Sequence, residues 1–417
     1  MASTLYINIG ALATLDHAGE GPLIGADLGD WEAHAGLAVL SMNGRIQRVG
    51  PEAELKRSNP DARLYDCKGS LVTPGLIDAH THPAFVKTRA DEFQQRLQGA
   101  SYEEILAAGG GIHHSVDALR AASDEELLAI VQRNLAWLRK HGVVACEGKS
   151  GYGLSLRDEL RSLRAIRQAS IESGVHVEGT CLAAHVVPKE YRERPEAYLD
   201  LVCDEILPQV AAEGLASAAD IFVEENAFSG ADLLRIAAAA KKAGLGLHVH
   251  ADQLSAGEGA RFAAELGALS ADHLEYTTPE VAAALAQTKT CGVLLPGSTF
   301  VLNQSRWADG RMLVDAGVPI VLATDFNPGS SPVMNPAFII SLACMKLGLS
   351  AKEALAAFTR NAAYCLRIDD DFGQIATGRR TALTLWELSS VEEIPYWVAA
   401  NLVRECVIEP FEPSESA

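Results

Sequence analysis

The sequence predicts an α/β protein, a (β/α)8, TIM-like barrel carrying a second, small β-sandwich domain formed from both chain ends. Three observations lead there. Eight short apolar runs alternate with long Ala/Leu/Glu/Arg-rich stretches of helical periodicity through the middle of the chain. The two ends read as β. No glycine-rich loop follows the first run, as a doubly wound open sheet would usually require; "AAGGGIHHS" follows a helical stretch instead. At 417 residues, 48% of them hydrophobic, the chain can fill one large core and a smaller one.

At the N-terminal end, "LYINIGALATL" is a strand, and "LAVLSMNGRIQRVGP" alternates apolar residues on both sides of Asn43-Gly44. That dipeptide supplies the two positive-φ positions of a type I′ turn, so a hairpin is expected. Near the other end, "FGQIATGRRTALTLWEL" and "NLVRECVIEPF" are again strand-like. Residues 1–68 and 370–417 are therefore assigned to the small domain and 69–369 to the barrel. The barrel strands are expected in "LVTPGLIDAH", "GVVACEGKS", "GVHVEGTCLAAH", "ADIFVEENAF", "GLGLHVHAD", "GALSADHLEY", "CGVLLPG" and "VPIVLATDFNP". Stretches such as "SDEELLAIVQRNLAWLRKHG" and "GADLLRIAAAAKKAG" supply the helices between them.

Composition removes several classes of function. A net charge of -19 disfavours nucleic acid, whose phosphates call for basic patches. No apolar run approaches the ~18 residues that span a bilayer, so no membrane partner is expected. The start of the chain lacks a basic segment followed by a small-residue cleavage site, which favours the cytoplasm. The eight cysteines are scattered without a C-x-x-C pair and read as reduced residues, not a disulfide framework.

In a barrel the chemistry gathers at the C-terminal ends of the strands, and here those ends are loaded. His80 and His82 follow the first run, Lys149 to Tyr152 the second, and His185 the third. Glu224, Glu225 and Asn226 follow the fourth, His248, His250 and Gln253 the fifth, His273 the sixth, and Asp325 and Asn327 the eighth. Residues i and i+2 of an extended segment point the same way, so His80 and His82 can share one ion. Imidazole suits a divalent metal of the zinc or iron type, and His250 and Asp325 emerge at the same mouth to complete a site. His248, one pleat deeper, reads as a supporting or core histidine. Each feature has a plainer reading alone: H-x-H in a loop, His273 as a hydrogen-bonded core residue, Asp325 as a cap, Glu224 and Glu225 as a solvated strand end. Their placement at one mouth favours the metal site.

With those residues in place, "PGLIDAHTH", the histidines of "HVHAD" and "ADHLEY" and the aspartate of "LATDFNPGSSP" resemble the amidohydrolase superfamily of metal-dependent hydrolases. The similarity continues through "RADEFQQRLQGASYEEI", "GGGI", "KSGYGL" and "LAAHVVPKEY", covering about residues 70–365, and reappears in "IPYWVAANLV". These longer motifs point, within the superfamily, to the branch that opens an imidazolone ring in histidine degradation. The resemblance implies hydrolysis of 4-imidazolone-5-propanoate to N-formimidoyl-L-glutamate by a homodimer. It implies that His80, His82, His250 and Asp325 hold one zinc or iron ion. Two-metal members usually carry a modified lysine after the fourth strand, where this chain has Glu224-Glu225-Asn226, so a single ion is expected.

Carried over by motif, Asp325, His273 and Gln253 are the candidate catalytic residues, with the general base open between Asp325, His273 and a water held by Gln253. Arg89 would bind the propanoate, since a guanidinium grips a carboxylate with two parallel hydrogen bonds; its plainer role is an ion pair with Asp91 or Glu92. Tyr152 and His185 would assist at the same end, Gln253 would bond the ring, and Asn327, Gly329 and Ser330 would meet the part that becomes the amino-acid head. Tyr102 is a further candidate. The chain departs from the family at Pro83, Lys87, Thr88 and Gly148, in the paired His113-His114, and in "TGRRTALTLW". A deaminase or another cyclic amidase of the same superfamily is the alternative, and would not need Arg89 together with the tyrosine of "KSGYGL". A non-catalytic relative would have lost metal ligands, and all four are present.

Overall fold

The computed structural model describes residues 3–17, 19, 21–99, 110–225 and 227–410. Its centre is an eight-stranded sheet whose strands neighbour one another in chain order. We number them β1 (Leu76–Asp78), β2 (Val143–Lys149), β3 (His176–Ala184), β4 (Ala218–Val223), β5 (Gly246–Ala251), β6 (Ser270–His273), β7 (Cys291–Leu294) and β8 (Ile320–Leu322). Every neighbouring pair from β1 to β8 is parallel, so each connection must cross back over the outside through helices.

The seam between β8 and β1 closes differently. Thr81 and Phe326 form a parallel bridge, and the His82 amide donates to the Phe326 carbonyl at 2.9 Å. Below it, the Asp78 carboxylate accepts from the Thr324 amide at 2.9 Å and the Thr324 hydroxyl at 2.6 Å. A side chain thus takes the part of a ladder, and burial drives the Asp78 carboxyl up to about 7.

The crossover helices start where the sequence marks them. The helix Asp124–Lys140 opens with a capping box between Ser123 and Glu126, and Gly230–Ala243 with one between Ser229 and Asp232. Their apolar stripes (Leu127, Val131, Leu135 and Leu138 on the first) pack on the barrel.

Two small sheets come from the chain ends. A four-stranded sheet joins Arg45–Pro51, Leu37–Met42, Ser3–Ile7 and Arg63–Asp66. The hairpin within it turns at Asn43 and Gly44, both at positive φ (51° and 76°), as the type I′ turn requires. A five-stranded sheet joins Val403–Ile408, Ala382–Trp386, Leu71–Pro74, Ala11–Ala13 and Ala33–His34. Tyr6, Leu12, Val39, Val72, Leu383 and Leu385 from both sheets share one buried cluster, which makes the pair a sandwich. The run "LVTPGLID" therefore serves two sheets, Leu71–Pro74 the small domain and β1 the barrel. Gly75 between them has no room for a side chain: a Cβ there would lie 2.2 Å from a Val144 methyl.

Candidate active site

His80, His82, His250 and Asp325 are all buried at the C-terminal mouth of the barrel. The Nε2 atoms of His80 and His82 face each other at 3.3 Å. Thr81 between them turns the other way and donates its hydroxyl to the Glu147 carbonyl at 2.6 Å. Asp325 follows β8 at a φ of 52°, a conformation aspartate tolerates better than most residues. Its Oδ1 lies 3.6 Å from His80 Nε2 and 3.4 Å from His82 Nε2. From β5, the His250 ring stands 4.5 Å from the His80 ring, centroid to centroid.

These donors fit a metal ion. Two ligands on one tetrahedral ion with bonds of about 2.0–2.1 Å sit ~3.3 Å apart, close to the separations among His80, His82 and Asp325. The histidine tautomers fit as well. His80 Nδ1 is 2.7 Å from Asp272 Oδ2 and His250 Nδ1 is 3.0 Å from Asp220 Oδ2. Each carboxylate accepts a hydrogen bond from Nδ1–H and leaves the Nε2 lone pair free for a cation. Burial holds the imidazoles neutral, pushing His82 down to about 3 and His250 down to about 4. His80 and His250 also form an adjoining triad with His273, so His80 is common to both groups.

Beneath the ligands lies a charge network that motif reasoning left unassigned. Lys149, fully buried at the end of β2, places its ammonium 2.7 Å from Glu147 Oε1, 2.7 Å from Asp220 Oδ2 and 3.8 Å from Asp272 Oδ2. Thr180 donates to Glu147, and Ser270 to Asp272. Burial raises Glu147 to about 8 and Asp272 to about 7, while the neighbouring carboxylates hold Lys149 charged. The available signal was register: Glu147 and Lys149, His248 and His250, and Ser270 and Asp272 are i, i+2 pairs inside otherwise apolar strands. His248 sits one pleat deeper than His250, with Nδ1 at 2.7 Å from the Ser270 hydroxyl.

His273 ends β6 with a φ of 84° and its Nδ1 3.9 Å from Glu275 Oε1. Burial opposes its protonation, but Glu275, Asp325 and Asp272 outweigh that and raise it above an ordinary imidazole. Glu275 is itself held by the Thr299 hydroxyl at 2.8 Å. Gln253 lies buried two residues beyond β5, on a turn anchored by Glu224, which accepts from the Leu254 amide and the Ser255 hydroxyl, both at 2.7 Å. Glu224 is thus tied into its own rim. Asn226 and Tyr102 lie outside the described residues.

One side of the mouth is aromatic and cationic. His185, just past β3, stacks on His82 at 5.6 Å between centroids and donates from Nδ1 to the Gly151 carbonyl at 3.1 Å. Tyr152 packs 5.6 Å from His185 and 6.1 Å from His82. The loop carrying Tyr152 is clamped by the buried Glu159, which accepts from the amides of Gly151, Gly153 and Leu154. Arg89 makes the plainer ion pair, Nε to Glu92 Oε2 at 2.7 Å, and its guanidinium also abuts the loop after β8. A Cβ on Gly329 would come 2.1 Å from Arg89 Nη1. That loop is knitted by Asn327, whose Oδ1 accepts from the Gly329 and Ser330 amides at 2.8 Å and whose Nδ2 donates to the Asp325 carbonyl at 2.7 Å. Ser330 Oγ is 3.4 Å from Asp325 Oδ2. Among the departures, Lys87 and Thr88 are exposed, while Gly148 fits because Val177 and Ile166 already fill the space a side chain would take.

Comparison with known proteins agrees with this geometry. The family model described as the amidohydrolase family matches residues 71–409. A curated imidazolonepropionase of Symbiobacterium thermophilum is 44% identical over 407 residues, covering 97% of this chain and 95% of that protein. The chain belongs to the amidohydrolase family, among the imidazolonepropionases. The imidazolonepropionase of Erwinia tasmaniensis is also 44% identical, covering 88% of this chain and 90% of its own length. Among solved structures of the same fold, an adenosine deaminase from Xanthomonas campestris with bound zinc superposes with a TM-score of 0.74 at 16% identity, covering 98% of this chain and 92% of that one. E. coli guanine deaminase superposes with a TM-score of 0.69 at 14% identity, covering 99% of each chain. No helix among the described residues is long and apolar enough to cross a membrane. As an amidohydrolase family member the chain carries an eight-stranded TIM-like barrel with small sheets from its ends, and its mouth offers His and Asp groups fit for a metal.

Proposed function

We propose that this chain hydrolyses the ring of 4-imidazolone-5-propanoate to give N-formimidoyl-L-glutamate, using one zinc or iron ion held by His80, His82, His250 and Asp325. The observation that carries the substrate assignment is the seating of Arg89 against Gly329, on the mouth that also carries the ligand cluster and Tyr152. A cyclic amide bearing a carboxylate needs a cation at a fixed distance from the hydrolytic centre. Glu92 occupies the Nε edge of Arg89, which directs the rest of the guanidinium toward the loop after β8.

When bound, the metal supplies Lewis acidity and lowers the pKa of water near it. The chain's residues do the rest. Asp325, its Oδ2 3.4 Å from Ser330 Oγ, accepts the proton lost by the attacking water and returns it to the departing ring nitrogen. His273, poised by Glu275, donates a hydrogen bond to the oxygen on which charge develops. Gln253 bonds the ring, Tyr152 and His185 position the propanoate side, and Gly329 and Ser330 meet the amino-acid head on the loop that Asn327 shapes.

The same reading makes the enzyme a cytoplasmic homodimer. Purified protein should remove the ultraviolet absorbance of imidazolone propanoate and contain about one transition-metal ion per chain. No loss of that absorbance, with release of ammonia from an aminated ring instead, would replace this reading with a deaminase.

A further inference from the structure

Asp220, His250 and Asp272 bring one donor atom each within 4.8 Å of one another, a second group with metal-ligating chemistry next to the first. Beside it, Glu147 is fully buried, and its Oε2 has no hydrogen-bond partner among the described residues. Three buried carboxylates thus converge on a space that a divalent ion could neutralise. The space is taken. Lys149 Nζ contacts Glu147 and Asp220 at 2.7 Å and approaches Asp272 at 3.8 Å.

We infer that Lys149 is a cation built into the chain, filling the place where Glu147, Asp220 and Asp272 would otherwise hold a second metal ion, and that it thereby keeps the centre mononuclear. The inference rests on the four-ligand centre proposed above. Three physical points support it. An ammonium and a hydrated metal ion seek the same oxygen donors, so one excludes the other by volume and by like-charge repulsion. The carboxylates that receive the ammonium also orient the ligands: Asp272 holds His80 and Asp220 holds His250. A metal in that space would compete for both of them and release the histidine tautomers, whereas the ammonium leaves each with an oxygen lone pair for its histidine. Finally, β2 delivers Lys149 and Glu147 from the same face, so the cation arrives with one of its own oxygen partners.

Metal counting tests this. Wild type, Lys149→Ala and Lys149→Arg would be loaded with excess zinc, separated from unbound metal by gel filtration, and analysed by mass spectrometry for zinc per chain. The expected values are one ion for wild type, two for Lys149→Ala, where the space is vacated, and one for Lys149→Arg, where a cation remains. A folded Lys149→Ala chain that still holds one ion, or a wild type that holds two, would overturn the inference. No zinc in the wild type would instead refute the four-ligand centre on which it rests. Should Lys149→Ala be unfolded without metal, its thermal midpoint is expected to rise with zinc beyond the first equivalent. Failure to fold at any zinc concentration would count against the cation role, because another cation should then substitute.

Discussion

Replacing Gly329 by alanine should impair the enzyme through Arg89, a residue 240 positions away in sequence but in contact across the mouth. The added Cβ would lie 2.1 Å from Arg89 Nη1. Ordinary contact needs about 3.5 Å, so the guanidinium must retreat by ~1.4 Å. The backbone at Gly329 is not in the left-handed region, and the atom that must move is the tip of a flexible side chain, so the fold loses little. On the proposed role of Arg89, the substrate loses more. A misplacement of about 1 Å can cost ~10²-fold in rate, and loss of charge-assisted hydrogen bonds worth about 1.5–3 kcal/mol each is of similar size or larger. Gly329→Ala and Arg89→Ala should therefore each lower kcat/KM by ~10²-fold or more, mainly through KM, with metal content and thermal midpoint unchanged. Steady-state kinetics on imidazolone propanoate would include the double variant. If both act through the guanidinium, the double variant equals Arg89→Ala alone. Effects that multiply, or a Gly329→Ala enzyme with normal KM, would refute the contact as the source of recognition.

Other outcomes follow from the same geometry. Asp325→Asn should abolish turnover, read in the absorbance assay, because the amide neither accepts the proton nor serves the cation as a carboxylate does. Chelation should remove activity, and re-adding one equivalent of zinc or iron should restore it. The metal-free chain should also melt earlier, since an ion at 100 times its Kd stabilises the fold by about 2.7 kcal/mol. Asp272→Asn leaves His80 without its orienting carboxylate and should weaken zinc binding in a chelator competition by about 10–100-fold. Gly75→Ala places a methyl 2.2 Å from Val144, and overpacking of that kind should destabilise by about 1–3 kcal/mol in denaturant melts.

The strand-end residues were legible because their positions are set by local periodicity. His80 and His82 share a side by the pleat, and His250, His273 and Asp325 each follow an apolar run that can only be a buried strand. The Asn43-Gly44 turn was equally local. What the sequence hid depends on partners brought from far away. Glu159 clamps the Tyr152 loop through three backbone amides, which no side-chain pattern records. Asp220 and Asp272 look like isolated acids in "ADIFV" and "SADH" until neighbouring strands place them against His250 and His80. Arg89 had two competing readings, an ion pair with Glu92 and a place at the substrate mouth. The structure contains the ion pair and, in the same side chain, the contact with Gly329 at the mouth, so the ion pair leaves the proposed substrate contact open. Gly75 was invisible for another reason: an unbroken apolar run gives no sign that its halves belong to different sheets.

The sandwich has a consequence for how the protein is made. Tyr6 donates its hydroxyl to Glu409 at 2.6 Å across 403 residues of chain, and Leu71–Pro74 pairs with Ala382–Trp386. At ~5–20 residues per second, Glu409 leaves the ribosome about 20–80 s after Tyr6. Throughout that interval the first strands are out of the tunnel without their C-terminal partners, while the barrel between them assembles. A chain truncated at residue 380 should therefore hold a barrel beside strand edges that lack their C-terminal partners.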